Sequence, residues 1–205
     1  MTILDRLFLL LTGLIALYLI WYFWKKQKES PCGCNIYYII SFLVLLISGV
    51  LLIFGGWGLL NNNLVAVVAS LIPFSLATGL IYRFYKKAGV WYLLLMLIGL
   101  ILIIIARFGG MESMNKVVYP LFHAIAGLTI VLVPIIEAGK KTVKGSFVWV
   151  AIGGIAISLG GMALAFIKAG KQFLFFSSLK SVTAILAPLL FLVALFFAIG
   201  FVKGD

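Results

Sequence analysis

The sequence predicts an all-α polytopic membrane protein: a bundle of about seven transmembrane helices with short loops, forming one domain over residues 1–205. Three observations carry this. Apolar residues make up 65% of the 205 and charged residues 10%, against about a quarter charged in an ordinary soluble domain. The apolar residues fall in long uninterrupted runs bounded by short basic or Gly/Asn clusters. Those runs lack the two-residue alternation of an outer-membrane barrel. A run of about 18 or more apolar residues crosses a hydrocarbon core about 30 Å thick at 1.5 Å per residue. No water is present there to take up backbone N–H and C=O groups, so each run must be a helix.

Seven spans follow in order. The first, Leu7–Trp24, is longer than the apolar core of a signal peptide and has no small-residue cleavage site after it. It ends in Trp21, Tyr22, Phe23 and Trp24 followed by Lys25 and Lys26, which marks a retained helix with an interfacial aromatic belt. The next loop carries Cys32 and Cys34, the two cysteines of the chain. Two thiols are too few for a structural zinc site, and cysteines separated by one residue are poor disulfide partners. They are expected as reduced loop thiols, with lipidation or a metal site shared with another chain as alternatives. The second span, Ile36–Leu60, is long enough to tilt or to end in a non-helical turn at Gly55-Gly56. The third is Leu64–Tyr82, preceded by Asn61, Asn62 and Asn63. The fourth, Val90–Ala106, is the shortest and closes on Arg107-Phe108-Gly109-Gly110. The fifth to seventh are Val117–Ile136, Phe147–Ile167 and Val182–Val202.

With seven spans, ten of the 16 Lys and Arg residues fall on one face: Lys25, Lys26, Lys28, Arg83, Lys86, Lys87, Lys140, Lys141, Lys144 and Lys203. The other face holds six: Arg6, Arg107, Lys116, Lys168, Lys171 and Lys180. The positive-inside rule then places the N-terminus outside and the C-terminus in the cytoplasm, in the cell membrane. The net charge of +11 is spread over helix ends, so it is not the concentrated basic face of a nucleic-acid binder. It suits anionic lipid headgroups.

The loops between spans one and two, three and four, and five and six each contain a Lys-Lys pair: Lys25-Lys26, Lys86-Lys87 and Lys140-Lys141. Spans three and five each carry a proline, Pro73 and Pro120, with an alanine four residues on, Ala77 and Ala124. Three helix hairpins plus one helix would give this pattern, as in transporters built from repeats; chance recurrence of basic loops and membrane prolines is the alternative.

Ionisable groups inside a membrane are rare and usually functional. His123, the single histidine, lies about two turns into span five, after Pro120 and four residues before Gly127. Proline frees a backbone carbonyl and glycine admits a neighbouring helix, so the ring is expected at a tight contact or a small wet cavity. Its roles would be proton relay, ligand contact, a hydrogen bond to a quinone, or a fastening interhelical hydrogen bond. Ser70, Ser75 and Thr78 surround Pro73; Ser70 and Thr78 join His123 and Pro120 as ligand candidates, although hydroxyls also bond back to the preceding turn. Glu137 follows Pro134 and precedes Lys140 and Lys141 by three and four residues, which predicts a snorkelled carboxylate in an interfacial ion pair. His123 and Glu137 lie about 21 Å apart along one helix and cannot share a proton. In span six, Gly154, Ser158, Gly161 and Ala165 form a small-residue row expected to face another helix.

No catalytic set, metal site or cofactor site is expected. Bis-histidine haem ligation needs two histidines, a zinc or di-iron site needs a ligand cluster, and an aspartyl protease needs paired aspartates, whereas Asp5 and Asp205 sit at opposite chain ends. Lys180 lies too near a helix end for a retinal Schiff base, and arginine ladders and the K⁺-channel filter are missing. Three functions remain. The first is a small passive transporter or channel for a neutral or weakly polar solute. The second is a non-catalytic subunit of a respiratory or energy-converting assembly, with Gln172 to Phe176 as a contact segment. The third, an intramembrane lipid-modifying enzyme, is weakened by the want of an acid–base pair. Expected partners are membrane lipids and either further copies or other membrane subunits.

Overall fold

Six of the seven predicted runs fold as one helix each, the second breaks near its end, and most helices extend a few residues past the run. The computed structural model describes residues 1–168, 172 and 178–204. Among these residues there is no strand and there are seven long helices: α1 (Ile3–Glu29), α2 (Gly33–Gly55), α3 (Asn63–Phe84), α4 (Lys86–Phe108), α5 (Glu112–Gly139), α6 (Val148–Lys168) and α7 (Leu179–Gly204). All seven are long and apolar enough to cross a membrane.

Local chemistry sets the boundaries. Thr2 and Asp5 form a reciprocal capping box at the start of α1, with Thr2 N donating to Asp5 Oδ2 at 2.7 Å and Asp5 N to Thr2 Oγ1 at 3.1 Å. Of the two alternatives for the second span, a tilt or a turn at Gly55-Gly56, the structure has the turn: α2 stops at Gly55, and Gly56 takes φ +67°, a conformation that costs glycine little. A 3₁₀ turn, Trp57–Asn61, takes up the end of that predicted span and one residue beyond it. Asn62 then caps α3 by accepting from Leu64 N and Val65 N.

The helices close into a ring. α1 packs on α2, α2 on α3, α3 on α5, α5 on α6, α6 on α7, and α7 returns to α1; α4 stands outside, against α3 and α5. The three Lys-Lys hairpins do pack as pairs, but α4 has no place in the ring. Two triplets, α1–α3 and α5–α7, face each other across it with a single helix between them. The contacts match under exchange of the triplets, since α1 meets α7 as α5 meets α3. Close approaches match as well. A Cβ on Gly13 of α1 would lie 3.3 Å from Leu46 of α2, and one on Gly127 of α5 would lie 3.2 Å from Ser158 of α6.

Aromatic rings fill the ring at the basic end, where α1, α3, α5 and α7 terminate. Phe23, Tyr38, Phe42, Phe147 and Phe201 are each almost wholly buried. Phe201 lies 4.8 Å from Tyr38, 5.2 Å from Phe23 and 5.7 Å from Phe147, centroid to centroid, spacings at which aromatic pairs attract beyond simple area burial. Leu9, Leu52 and Ala187 make a smaller cluster at the opposite end. Exposed apolar side chains such as Trp91, Ile98, Ile101 and Phe108 run along the outside of α4, as a lipid-facing helix requires.

Candidate functional site

The basic end gathers two chemical groups that the helices inside the bilayer do not offer. The first is Glu137. It was expected to snorkel; instead its side chain is 5% exposed, because the α3–α4 and α5–α6 turns fold over it. Tyr85 Oη donates to Oε1 at 2.7 Å and Lys140 Nζ to the same oxygen at 2.9 Å. Thr142 Oγ1, 2.9 Å from both Oε2 and the Glu137 carbonyl, covers the other side. Lys141 takes no part in this pair; it occupies the left-handed region at φ 59° and ends the helix as an exposed residue. The hydrogen bond to Glu137, then that to Tyr85, raises the Lys140 pKa. The Tyr85 hydroxyl is raised too, first by its bond to Glu137. A carboxylate paired on both oxygens is a fixed charge that clamps two loops together. It is not poised to bind a metal, and the described residues include no cluster of metal-ligating side chains.

The second group is a disulfide. Cys32 and Cys34, expected as free thiols, are bonded to each other. The reason is local: the chain turns from extended at Cys32 into α2 at Gly33, which brings the two Cα atoms to 5.1 Å, inside the range that a disulfide spans. Cys32 is the N-cap of α2, and its sulfur accepts from Cys34 N at 3.2 Å. Beside it, Pro31, Cys32, Gly33, Tyr82 and Lys86 line a concavity of about 350 Å³. The α3–α4 turn therefore serves both groups, with Tyr82 and Lys86 beside the disulfide and Tyr85 on Glu137.

No family model, curated protein or solved structure matches this chain. Its chemistry has to be read from the residues themselves.

The other predicted residues are scattered. His123 stacks on Tyr119 at 4.2 Å and lies 5.7 Å from Phe74. Its Nδ1 is 3.2 Å from the Tyr119 carbonyl; a carbonyl only accepts, so Nδ1 carries the proton and donates within its own helix. Arg107 lies over the other ring of the stack, 5.0 Å from the Tyr119 centroid, and its buried Nε has no partner among the described residues. Pro120 is exposed on the outside of α5, away from this group. Ser70 and Thr78 are buried, yet each hydroxyl donates to its own helix, to Ala66 O at 3.0 Å and Phe74 O at 2.7 Å. Ser75 is buried as well.

The small-residue row on α6 divides. A Cβ on Gly154 would lie 2.8 Å from Ile130 of α5, and Ser158 meets Gly127, so this half packs on α5. Gly161 faces open space, and the side chain of Ala165 lies outside the described residues. The tighter seam, which the small-residue row did not mark, is with α7. A Cβ on Gly153 would lie 2.9 Å from Phe197 and one on Gly160 would press on Leu189, while Gly200 and Gly204 of α7 abut the backbone at Val150 and Phe147. Two glycines four apart near the end of α7 were the available signal. Lys171 and the segment Phe173 to Phe176 lie outside the described residues, as does the side chain of Lys168.

Proposed function

We propose that this chain is a small facilitative carrier or channel for a neutral or weakly polar solute, in the cell membrane with its N-terminus outside. The observation that carries the reading is the ring of six helices made from two triplets with matching contacts. Triplets in the same membrane sense, related about an axis along the membrane normal, are a recurring carrier architecture. Apart from Asp5, Asn35 and Glu137 near helix ends, the buried side chains of the ring among the described residues are apolar, aromatic or hydroxyl, which suits a solute without net charge. The cluster of Phe201, Tyr38 and Phe42 would be the barrier at the basic end.

Reconstitution into liposomes tests this. Swelling or tracer uptake with glycerol, urea and small sugars should exceed that of empty liposomes, and Phe201→Ala should raise it. Equal permeability in all three preparations would remove the reading. A second reading, a non-catalytic subunit of a larger assembly, is favoured by the concavity of about 510 Å³ on the outer face of α1, lined by Leu14, Leu17, Tyr18, Ile20, Trp21 and Trp24. That surface would seat an apolar helix or an acyl chain. Native mass spectrometry of protein extracted from its own membrane separates the two, since stoichiometric partners support the subunit and their absence supports the carrier.

A further inference from the structure

We infer that Cys32–Cys34 is a thiol–disulfide exchange site for a low-molecular-weight thiol bearing carboxylates, with Cys32 as the sulfur that reacts and Cys34 as the one that resolves. The inference is independent of what the ring carries.

A disulfide this short has little to do as a staple. Its stabilising effect in the unfolded chain grows with the length of the loop it closes, and the bonded residues are two apart. The turn is held without it. Gln27 Oε1 accepts from Cys32 N at 3.0 Å and from Asn35 Nδ2 at 3.1 Å, and the same amide donates to Ser30 O at 3.3 Å. What remains is reactivity, and the surroundings are arranged for it. Cys34 is 5% exposed and belongs to the core, whereas Cys32 is partly exposed on the concavity. An incoming thiolate therefore reaches Cys32 and not Cys34.

The α2 N-terminus stabilises negative charge at Cys32. As N-cap, its sulfur receives the Cys34 N–H, in the position where the helix dipole lowers a thiol pKa. Lys86 lines the same concavity, and Lys87 and Lys28 are exposed on the same face, while the nearby Glu29 is paired with Lys25 at 3.7 Å. This positive field selects an anionic thiol over a neutral or cationic one. The charge bias that assigns the face to the cytoplasm adds to the case, because disulfides formed there are transient and reactive rather than structural.

The exchange balances as follows. A thiolate RS⁻ attacks Cys32 Sγ, the Cys32–Cys34 bond breaks, and Cys34 leaves as a thiolate that takes up a proton. A second RS⁻ attacks the sulfur of R in the mixed disulfide, releasing Cys32 as the thiolate and RSSR as product. Two RSH are oxidised to RSSR and the protein disulfide is reduced to two thiols, the two protons passing to the cysteines. In reverse, the Cys32 thiolate attacks RSSR and Cys34 displaces RS⁻.

The test uses the intact protein in mild detergent and reduced and oxidised glutathione as the probe. Wild-type protein equilibrated across a series of glutathione ratios should, without denaturant, gain one maleimide-reactive thiol per chain, at Cys32, with the buried Cys34 thiol added on denaturation, and should lose both reversibly. Cys34→Ser should trap one glutathionyl group per chain by intact mass, and Cys32→Ser should trap none. Lys86→Glu should slow the reaction with glutathione roughly tenfold while leaving that with cationic cysteamine no slower. A Cys32 thiol that appears only after denaturation, or a cysteine pair that stays reduced at every ratio, would overturn the site. The wild-type titration needs no variant to fold. A site that exchanges but is indifferent to Lys86→Glu would overturn the assignment to anionic thiols.

Discussion

The two ends of the ring satisfy their polar groups in different ways. At the basic end the bonds run between distant segments. Tyr85 reaches Glu137, Tyr22 Oη reaches the Phe201 carbonyl at 3.4 Å, Ser146 reaches the Lys203 carbonyl at 2.8 Å, and Lys144 N reaches the Gly204 carbonyl at 3.2 Å. Toward the opposite end, bonds within one helix recur among the described residues: Thr12 to Phe8 O, Ser70 to Ala66 O, His123 to Tyr119 O and Thr183 to Lys180 O. Asn63, which donates to the Arg107 carbonyl at 3.2 Å, is a cross-helix bond there. A hydroxyl bonded to its own helix does not resist the sliding of that helix past a neighbour. The basic end is thus the more firmly cross-linked of the two among the described residues.

Breaking that contrast should produce a graded series. The largest effect belongs to Phe201→Ala, which empties the centre of the aromatic cluster and should cost about 3–5 kcal/mol, measured by denaturant unfolding in mixed micelles. Glu137→Ala follows at about 1–3 kcal/mol, because Tyr85 and Lys140 lose their acceptor together; a thermal-shift assay in detergent would register it. His123→Phe keeps the stack on Tyr119 and removes only a bond within one helix, so its cost should stay near the lower end of about 0.6–2 kcal/mol. A His123→Phe loss equal to that of Glu137→Ala would erase the distinction between the ends.

The smallest effect is a pH dependence. The fold raises the pKa of both Lys140 and Tyr85, so it holds each in its protonated form more strongly than the unfolded chain does. Their contribution is complete below the ordinary values of 10.0 for tyrosine and 10.5 for lysine, and it declines as pH climbs through the raised ones. Melting temperature should therefore be flat for this pair through neutrality and fall in the alkaline range. Glu137→Gln should make that fall shallower.

What the sequence revealed and what it hid follow the range of the forces involved. Spans were legible because hydrocarbon imposes length and apolarity on each helix separately. The break at Gly55-Gly56 and the closeness of Glu137 to Lys140 were legible for the same reason, being matters of a few residues. The burial of Glu137 was not, because Tyr85 lies 52 residues away in sequence and arrives through the packing of α3 on α5. Membrane helices are apolar on every side, so hydropathy does not say which face is interior. Pro120 faces outward and α4 stands outside the ring with nothing in their composition to mark it. The small-residue row identified Gly154 and missed Gly153, one position round the same helix, because a row of small residues names a helix more reliably than it names the partner. The disulfide was obscured by separation alone; it forms because Cys32 is extended and Gly33 is helical, a change of backbone within one residue.

The solitary position of α4 has a consequence for how such a chain is made. Three crossings leave a nascent polypeptide on the side opposite to where it began, so a second triplet following directly would be inserted upside down relative to the first. One further crossing restores the starting side. α4 would then serve as a reversing link, in keeping with the small share of its span that is buried inside the protein. A chain lacking residues 86–108 would carry Lys140, Lys141, Lys144 and Lys203 to the far side of the membrane, against the charge bias of its first half, and the two triplets would compete for the orientation of the whole.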